Sequence, residues 1–91
     1  PGFYKAGEYG IRIENLQYVT DAEDIQGGER PMHGFHTLTL APFCRALIET
    51  DMLTRAERDY VDAYHARVLE EIGPELDSEI AAWLKHACRP L

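Results

Sequence analysis

The chain has 91 residues, with 16 acidic against 9 basic side chains and a formal net charge of −7. Hydrophobic residues make up 45% of it, enough for a globular core and too much for a disordered tail. The acidic balance excludes general phosphate-backbone binding, which needs clustered Lys and Arg on one face. No apolar run approaches the roughly 20 residues that a membrane-spanning helix takes, so neither nucleic acid nor a membrane is expected as a partner. No charged, apolar leader opens the chain, which begins at Pro1 without an initiator Met, and the expectation is a piece of a larger, cytoplasmic protein. Cys44 and Cys88 lie far apart and form no CxxC or Cys/His metal pattern. They read as two reduced thiols, with a single bridge between them left open.

In chain order, the glycines at 2, 7 and 10 break the segment around Phe3-Tyr4 into a short strand, a turn and the start of a main strand. That main strand is predicted over 10–19, with Ile11, Ile13, Asn15, Gln17 and Val19 on one face. Arg12, Glu14, Leu16 and Tyr18 fall on the other, so both faces carry apolar residues, as in strands inside a larger domain. From Asp21 to Gly34 the apolar pattern stops, which predicts a solvated loop with no phosphate-loop pattern in its glycines. Phe35 to Leu40 alternates again as a second strand ended by Ala41-Pro42, and Ala46 to Ile48 suggests a brief extended stretch.

Thr54 followed by Glu57 is a capping box that starts a helix, and Leu53 supplies half of a hydrophobic staple. Tyr60, Val61, Tyr64, Val68, Leu69 and Ile72 recur at helical spacing, until Gly73, in a left-handed cap, and Pro74 end the helix. A second helix is predicted from about Asp77 to Cys88, with Ile80, Trp83, Leu84 and Ala87 on one face. Two helices and a few strands make this an α+β chain.

Glu14 is the first residue to single out for chemistry. A carboxylate amid β-branched residues, two positions from an Arg on the same face, is costly to bury unless it is paired or bound to a metal. A surface ion pair of Arg12 with Glu14 is the simple reading, because one carboxylate is not a metal site. His33 and His36 flank a loop–strand junction, and His65 and His86 are expected to face solvent or cap their helices. Tyr60, Tyr64 and Trp83 suit a core or a subunit interface.

The stretch PGFYKAGEYGIRIENLQYV resembles the closing segment of the catalytic domain of Xaa-Pro aminopeptidases, the aminopeptidase P group of pita-bread metallopeptidases. Within it, Gly10 to Asn15 (GIRIEN) resembles that family's last metal-binding motif. FHTLTLAP over 35–42, the Leu53-Thr54 helix start and the Trp83 helix resemble the C-terminal extension of its three-domain members. The resemblance implies the C-terminal portion of a pita-bread catalytic domain over 1–42 and a helical C-terminal extension over 43–91. It implies removal of the N-terminal residue from peptides with proline second, two Mn2+ ions per active site, and a homo-oligomer.

In that family two Asp, one His and two Glu hold the metals, and Glu14 matches the Glu that bridges both. A carboxylate suits that role, since it can span cations roughly 3–4 Å apart. Arg12 matches an Arg that orients an acidic ligand, a task suited to its guanidinium fork. The other four ligands have no match here, since the second Glu belongs immediately before Pro1 and the rest further upstream. The chain alone is therefore expected to be inactive. The alternative is a non-catalytic interaction or dimerisation module of the same fold.

Overall fold

The computed structural model describes residues 2–91; Pro1, which opens the PGFY stretch, lies outside the described residues. The chain forms two compact units, one ending at Thr39 and the other running from Leu40 to Leu91.

The first unit is built from two hairpins. Strand β1 (Phe3–Lys5) pairs antiparallel with β2 (Tyr9–Ile11), setting Phe3 opposite Ile11 and Tyr4 opposite Gly10. Gly7, at φ 73°, makes the turn, which closes where the Glu8 N–H donates to the Lys5 carbonyl. Strand β3 (Gln17–Val19) pairs antiparallel with β4 (Phe35–Thr37). The predicted strand over 10–19 is thus two short strands, with residues 12–16 in neither. The physical cause is a change of partner: Tyr9–Ile11 pairs backward to β1, whereas Gln17–Val19 pairs forward to β4.

The segment from Asp21 to Gly34 is exposed throughout, as expected of a solvated loop, but it is partly tied. The β3–β4 hairpin continues through a bridge between Glu23 and Met32, and Gly27, at φ 78°, occupies its tip. Thr20 ties the base, its hydroxyl accepting from the Gly34 N–H and its carbonyl lying 2.7 Å from His33 Nδ1.

Each sheet of this unit has only two strands, and among its described residues Thr37 alone is buried. Phe3, Tyr9, Leu16, Val19 and Phe35 are all exposed. Paired hairpins with so little core are marginal by themselves.

The second unit begins with two 3-10 turns, Arg45–Leu47 and Thr50–Met52, where an extended stretch was expected over 46–48. The Leu47 and Ile48 N–H groups reach back to the Cys44 and Arg45 carbonyls, which curls the chain instead of extending it. Helix α1 (Arg55–Ile72) starts at the predicted capping box: Thr54 Oγ1 accepts from the Glu57 N–H, and Glu57 accepts from the Thr54 N–H at 2.7 Å. The Thr54 N–H and, less strongly, the Thr54 hydroxyl both donate to the Glu57 carboxylate and hold it below its ordinary pKa. At the far end Gly73 stays right-handed (φ −52°) and opens a 3-10 turn, Gly73–Glu75, so a left-handed cap is not used. Pro74 fits that turn because its missing N–H is not called on there. Helix α2 (Ser78–Ala87) is capped by Asp77, whose carboxylate accepts from the Glu79 and Ile80 N–H groups.

Tyr64 and Val68 of α1 meet Leu84 and Cys88 in the core, with Leu40, Phe43, Leu69, Ile72 and Leu76 packed around them. The predicted stripe of α1 is largely confirmed, except that Tyr60 faces out and His65 faces in, with 0% exposure. His65 stands four residues from Val61 and three from Val68, so the helical period places it on the buried face whatever its polarity. The predicted face of α2 is rotated: Leu84 and Cys88 are buried, whereas Trp83 is 60% exposed and Ile80 is exposed. Cys44 is exposed, both cysteines are free, and burial pushes the Cys88 thiol up. Among the described residues, no helix is long and apolar enough to cross a membrane.

Removing the α1 cap tests this assembly. Thr54→Ala leaves the Glu57 amide without its side-chain partner and is expected to lower the unfolding free energy by about 1 kcal/mol, read by urea titration.

Candidate functional site

Arg12 and Glu14 stand between β2 and β3, and their side chains meet. The Arg12 Nε donates to Glu14 Oε2 at 2.9 Å, and Nη2 donates to the same oxygen. Their side chains remain 54% and 55% exposed, so the surface ion pair expected from the sequence is the arrangement found. The hydrogen bond to Glu14, followed by the carboxylate's charge, raises the Arg12 pKa above its ordinary value, and a bond with the Tyr4 hydroxyl adds to this. Glu14 Oε1 takes no part in the pair.

Tyr4 is the neighbour that the sequence reading missed. It sits directly across from Gly10, and a β-carbon on Gly10 would come within 2.9 Å of the Tyr4 ring. The bare glycine lets the ring lie flat over β2. A β-carbon on Gly2 would meet Arg12 Cγ at 3.0 Å and the Tyr4 hydroxyl at 3.1 Å, so that glycine leaves room for both. The readable signal was the aromatic residue opposite a glycine across a short hairpin, a common cross-strand pairing.

The remaining candidates do not join this pair into a metal centre. His36 lies against Tyr18 with the rings tilted by 40° and centroids 5.1 Å apart, and His33 is engaged with Thr20. Among the described residues, no three or more His, Cys, Asp or Glu side chains gather to hold an ion.

Because the pair is half exposed and its attraction is screened by water, it carries little of the fold. Glu14→Gln and Arg12→Gln are each expected to leave the thermal midpoint of the chain unchanged, measured by circular dichroism.

The chain as a whole resembles known proteins. The family described as the C-terminal region of peptidase M24 matches residues 31–91. A protein of Arthroderma benhamiae named "Probable Xaa-Pro aminopeptidase P" is 43% identical over 94 residues, covering 100% of this chain and 14% of that relative. One of the same name from Tuber melanosporum is 40% identical, again over the whole chain and 15% of the relative. The chain thus spans about one seventh of the length of the curated relatives it matches. Among solved structures, the X-prolyl aminopeptidase of Caenorhabditis elegans, described as a cytosolic enzyme with a di-nuclear active site, matches with a TM-score of 0.88. It is 34% identical, over 100% of this chain and 15% of that one. The hairpins and helices are therefore an α+β portion of a pita-bread fold, as the sequence resemblance implied. With the match running from residue 31 to Leu91, the chain belongs to the peptidase M24 family, as its C-terminal region.

Proposed function

We propose that this chain is the C-terminal part of a cytoplasmic, dinuclear-metal Xaa-Pro aminopeptidase, which hydrolyses the N-terminal residue from peptides with proline second. One observation carries the reading: the Arg12–Glu14 pair lies half exposed within the GIRIEN stretch, in a chain whose whole length aligns with relatives bearing that name. Residues 1–42 would close the catalytic domain and 43–91 form its helical extension. The division into compact units after Thr39 lies close to that boundary and supports it.

Glu14 offers hard carboxylate oxygens of the kind Mn2+ takes, so it fits as one ligand bridging two ions. It does not make a site alone, since no group of three or more ligand side chains forms among the described residues. The other ligands would be two Asp, a His and a Glu from outside this chain, and the chain by itself would be inactive. When bound, the ions would supply Lewis acidity at the scissile carbonyl. In that setting Arg12 would orient an acidic ligand through its planar donor fork. The exposed Trp83, Ile80 and Tyr60 of the helical unit support a homo-oligomer formed through the extension.

The test begins with the coding sequence upstream of Pro1. A Glu is expected immediately before it, with two Asp and a His further back. In the longer protein, Glu14→Gln is then expected to lower turnover of a Xaa-Pro peptide at least about 100-fold and to reduce bound manganese, measured by elemental analysis. A start codon within a few residues of Pro1 would leave the non-catalytic interaction or dimerisation module. So would a Glu14→Gln protein with undiminished turnover and metal content.

A further inference from the structure

His65 is fully buried on α1, and nothing in the proposed peptidase chemistry uses it. Its Nε2 lies 3.0 Å from the backbone nitrogen of Phe43. A backbone N–H can only donate, so Nε2 is the unprotonated ring nitrogen and the proton resides on Nδ1. That Nδ1 is buried and has no hydrogen-bond partner among the described residues. The preceding residue, Tyr64, grips the same stretch of chain: its hydroxyl accepts from the Ala41 N–H at 3.2 Å and donates to the Ala41 carbonyl at 2.8 Å. At the other end, Arg45 Nη1 donates to the carbonyls of Arg89 and Pro90 beyond α2. Residues 41–45 are thus a strap fastened at three points. Only the middle point depends on the protonation of a group that titrates near neutral pH.

We propose that His65 is an acid-sensitive latch: its neutral imidazole fastens the strap of residues 41–45 to α1, and protonation of Nε2 releases the strap at Phe43. A proton taken from solvent onto Nε2 sets two donors, N–H against N–H, face to face at hydrogen-bond distance. The bond is replaced by repulsion, and the imidazolium would remain buried without an acceptor. Tyr64 and Arg45 still hold the ends, so the strap bows at Phe43 while the helices stay folded. Bowing widens the groove of about 360 Å3 that Phe43 and Ala46 form with Trp83 and Ala87.

The surrounding charges favour the neutral ring. Burial, and then the positive charge of Arg45 on the strap, push His65 below its ordinary value of 6.5, with Asp62 on α1 opposing them. From α2 and the turn after it, Cys88 lies in the same core, its thiol pushed up by burial, while His86, hydrogen-bonded to Arg89, faces the strap across the groove. The sign follows from linkage. Because the folded-state pKa is depressed, the unfolded chain takes up the proton first. The stabilisation is complete above about 6.5 and is lost as pH falls through the lowered folded value.

The experiment follows the His65 ring nitrogens and the Phe43 amide by 15N NMR on the 91-residue chain between about pH 8 and pH 5, above the range where ordinary carboxylates titrate. At the upper end the ring is expected as the Nδ1–H tautomer. The Phe43 amide is expected to shift and to lose about tenfold in exchange protection with the same midpoint as the ring. Trp83, the single tryptophan, is expected to change its emission in step. His65→Gln keeps an acceptor for Phe43 that does not titrate, and is expected to abolish all three changes over this range. Persistence of the Trp83 and Phe43 changes in His65→Gln would overturn the latch. A wild-type Phe43 amide that moves independently of the ring nitrogens would overturn it too, without recourse to any variant.

Discussion

The helical unit depends on two consecutive side chains of α1, Tyr64 and His65, that offer polar atoms to a passing backbone from inside a largely apolar core. The chain between Leu40 and the first 3-10 turn has no strand or helix partner, so side chains satisfy its part-buried N–H and carbonyl groups. Tyr64 takes both polar groups of Ala41, and His65 takes the N–H of Phe43. Once those are satisfied, the Phe43 ring can stack on Tyr64 with centroids 4.7 Å apart and close the core over Val68 and Leu84. An apolar replacement at either position would fill the space but strand a donor, and an unpaired buried amide costs about as much as the packing gains.

The strand unit has no comparable anchor. Its hairpins satisfy their own backbone but leave aromatic and β-branched residues exposed on both arms. Such strands need further layers before they can exclude water from their faces. That physical requirement agrees with a chain that covers only about one seventh of its relatives. The two units therefore call for different explanations. The helices are held by what is present, whereas the strands display a pattern suited to what would pack against them.

This contrast also explains what could be read from the sequence. Local chemistry was legible wherever it acts between near neighbours: the Thr54–Glu57 box, the turn at Gly7 and the Arg12–Glu14 pair all form as their spacing implies. Long-range choices were not. Whether Trp83 or Cys88 faces the core depends on where α1 lies, and both positions satisfy a helical period. The burial of His65 was hidden because a polar residue was discounted on an apolar stripe. Its partner, the Phe43 N–H, is a backbone group that no side-chain pattern announces. The break between β2 and β3 was similarly hidden, since alternation continues through residues whose pairing partner changes. The site fared better than its surroundings because both charged residues lie within one tripeptide.

The exposure of the Arg12–Glu14 pair has a bearing on how Glu14 could serve as a ligand. A carboxylate that bridges two cations through both oxygens needs Oε2 free, yet here both Arg12 donors converge on it. Were the pair buried, freeing that oxygen would leave an unpaired charge at high cost. Half exposed, it is a weak association that water can replace on either partner, so exchanging Arg12 for a cation at Oε2 meets little resistance. The Arg12 guanidinium would then be free to turn to another carboxylate, consistent with its matched role of orienting an acidic ligand. The tripeptide thus holds its carboxylate by a weak, hydrogen-bonded ion pair and leaves Oε1 outside it, which is compatible with the ligand role proposed for Glu14.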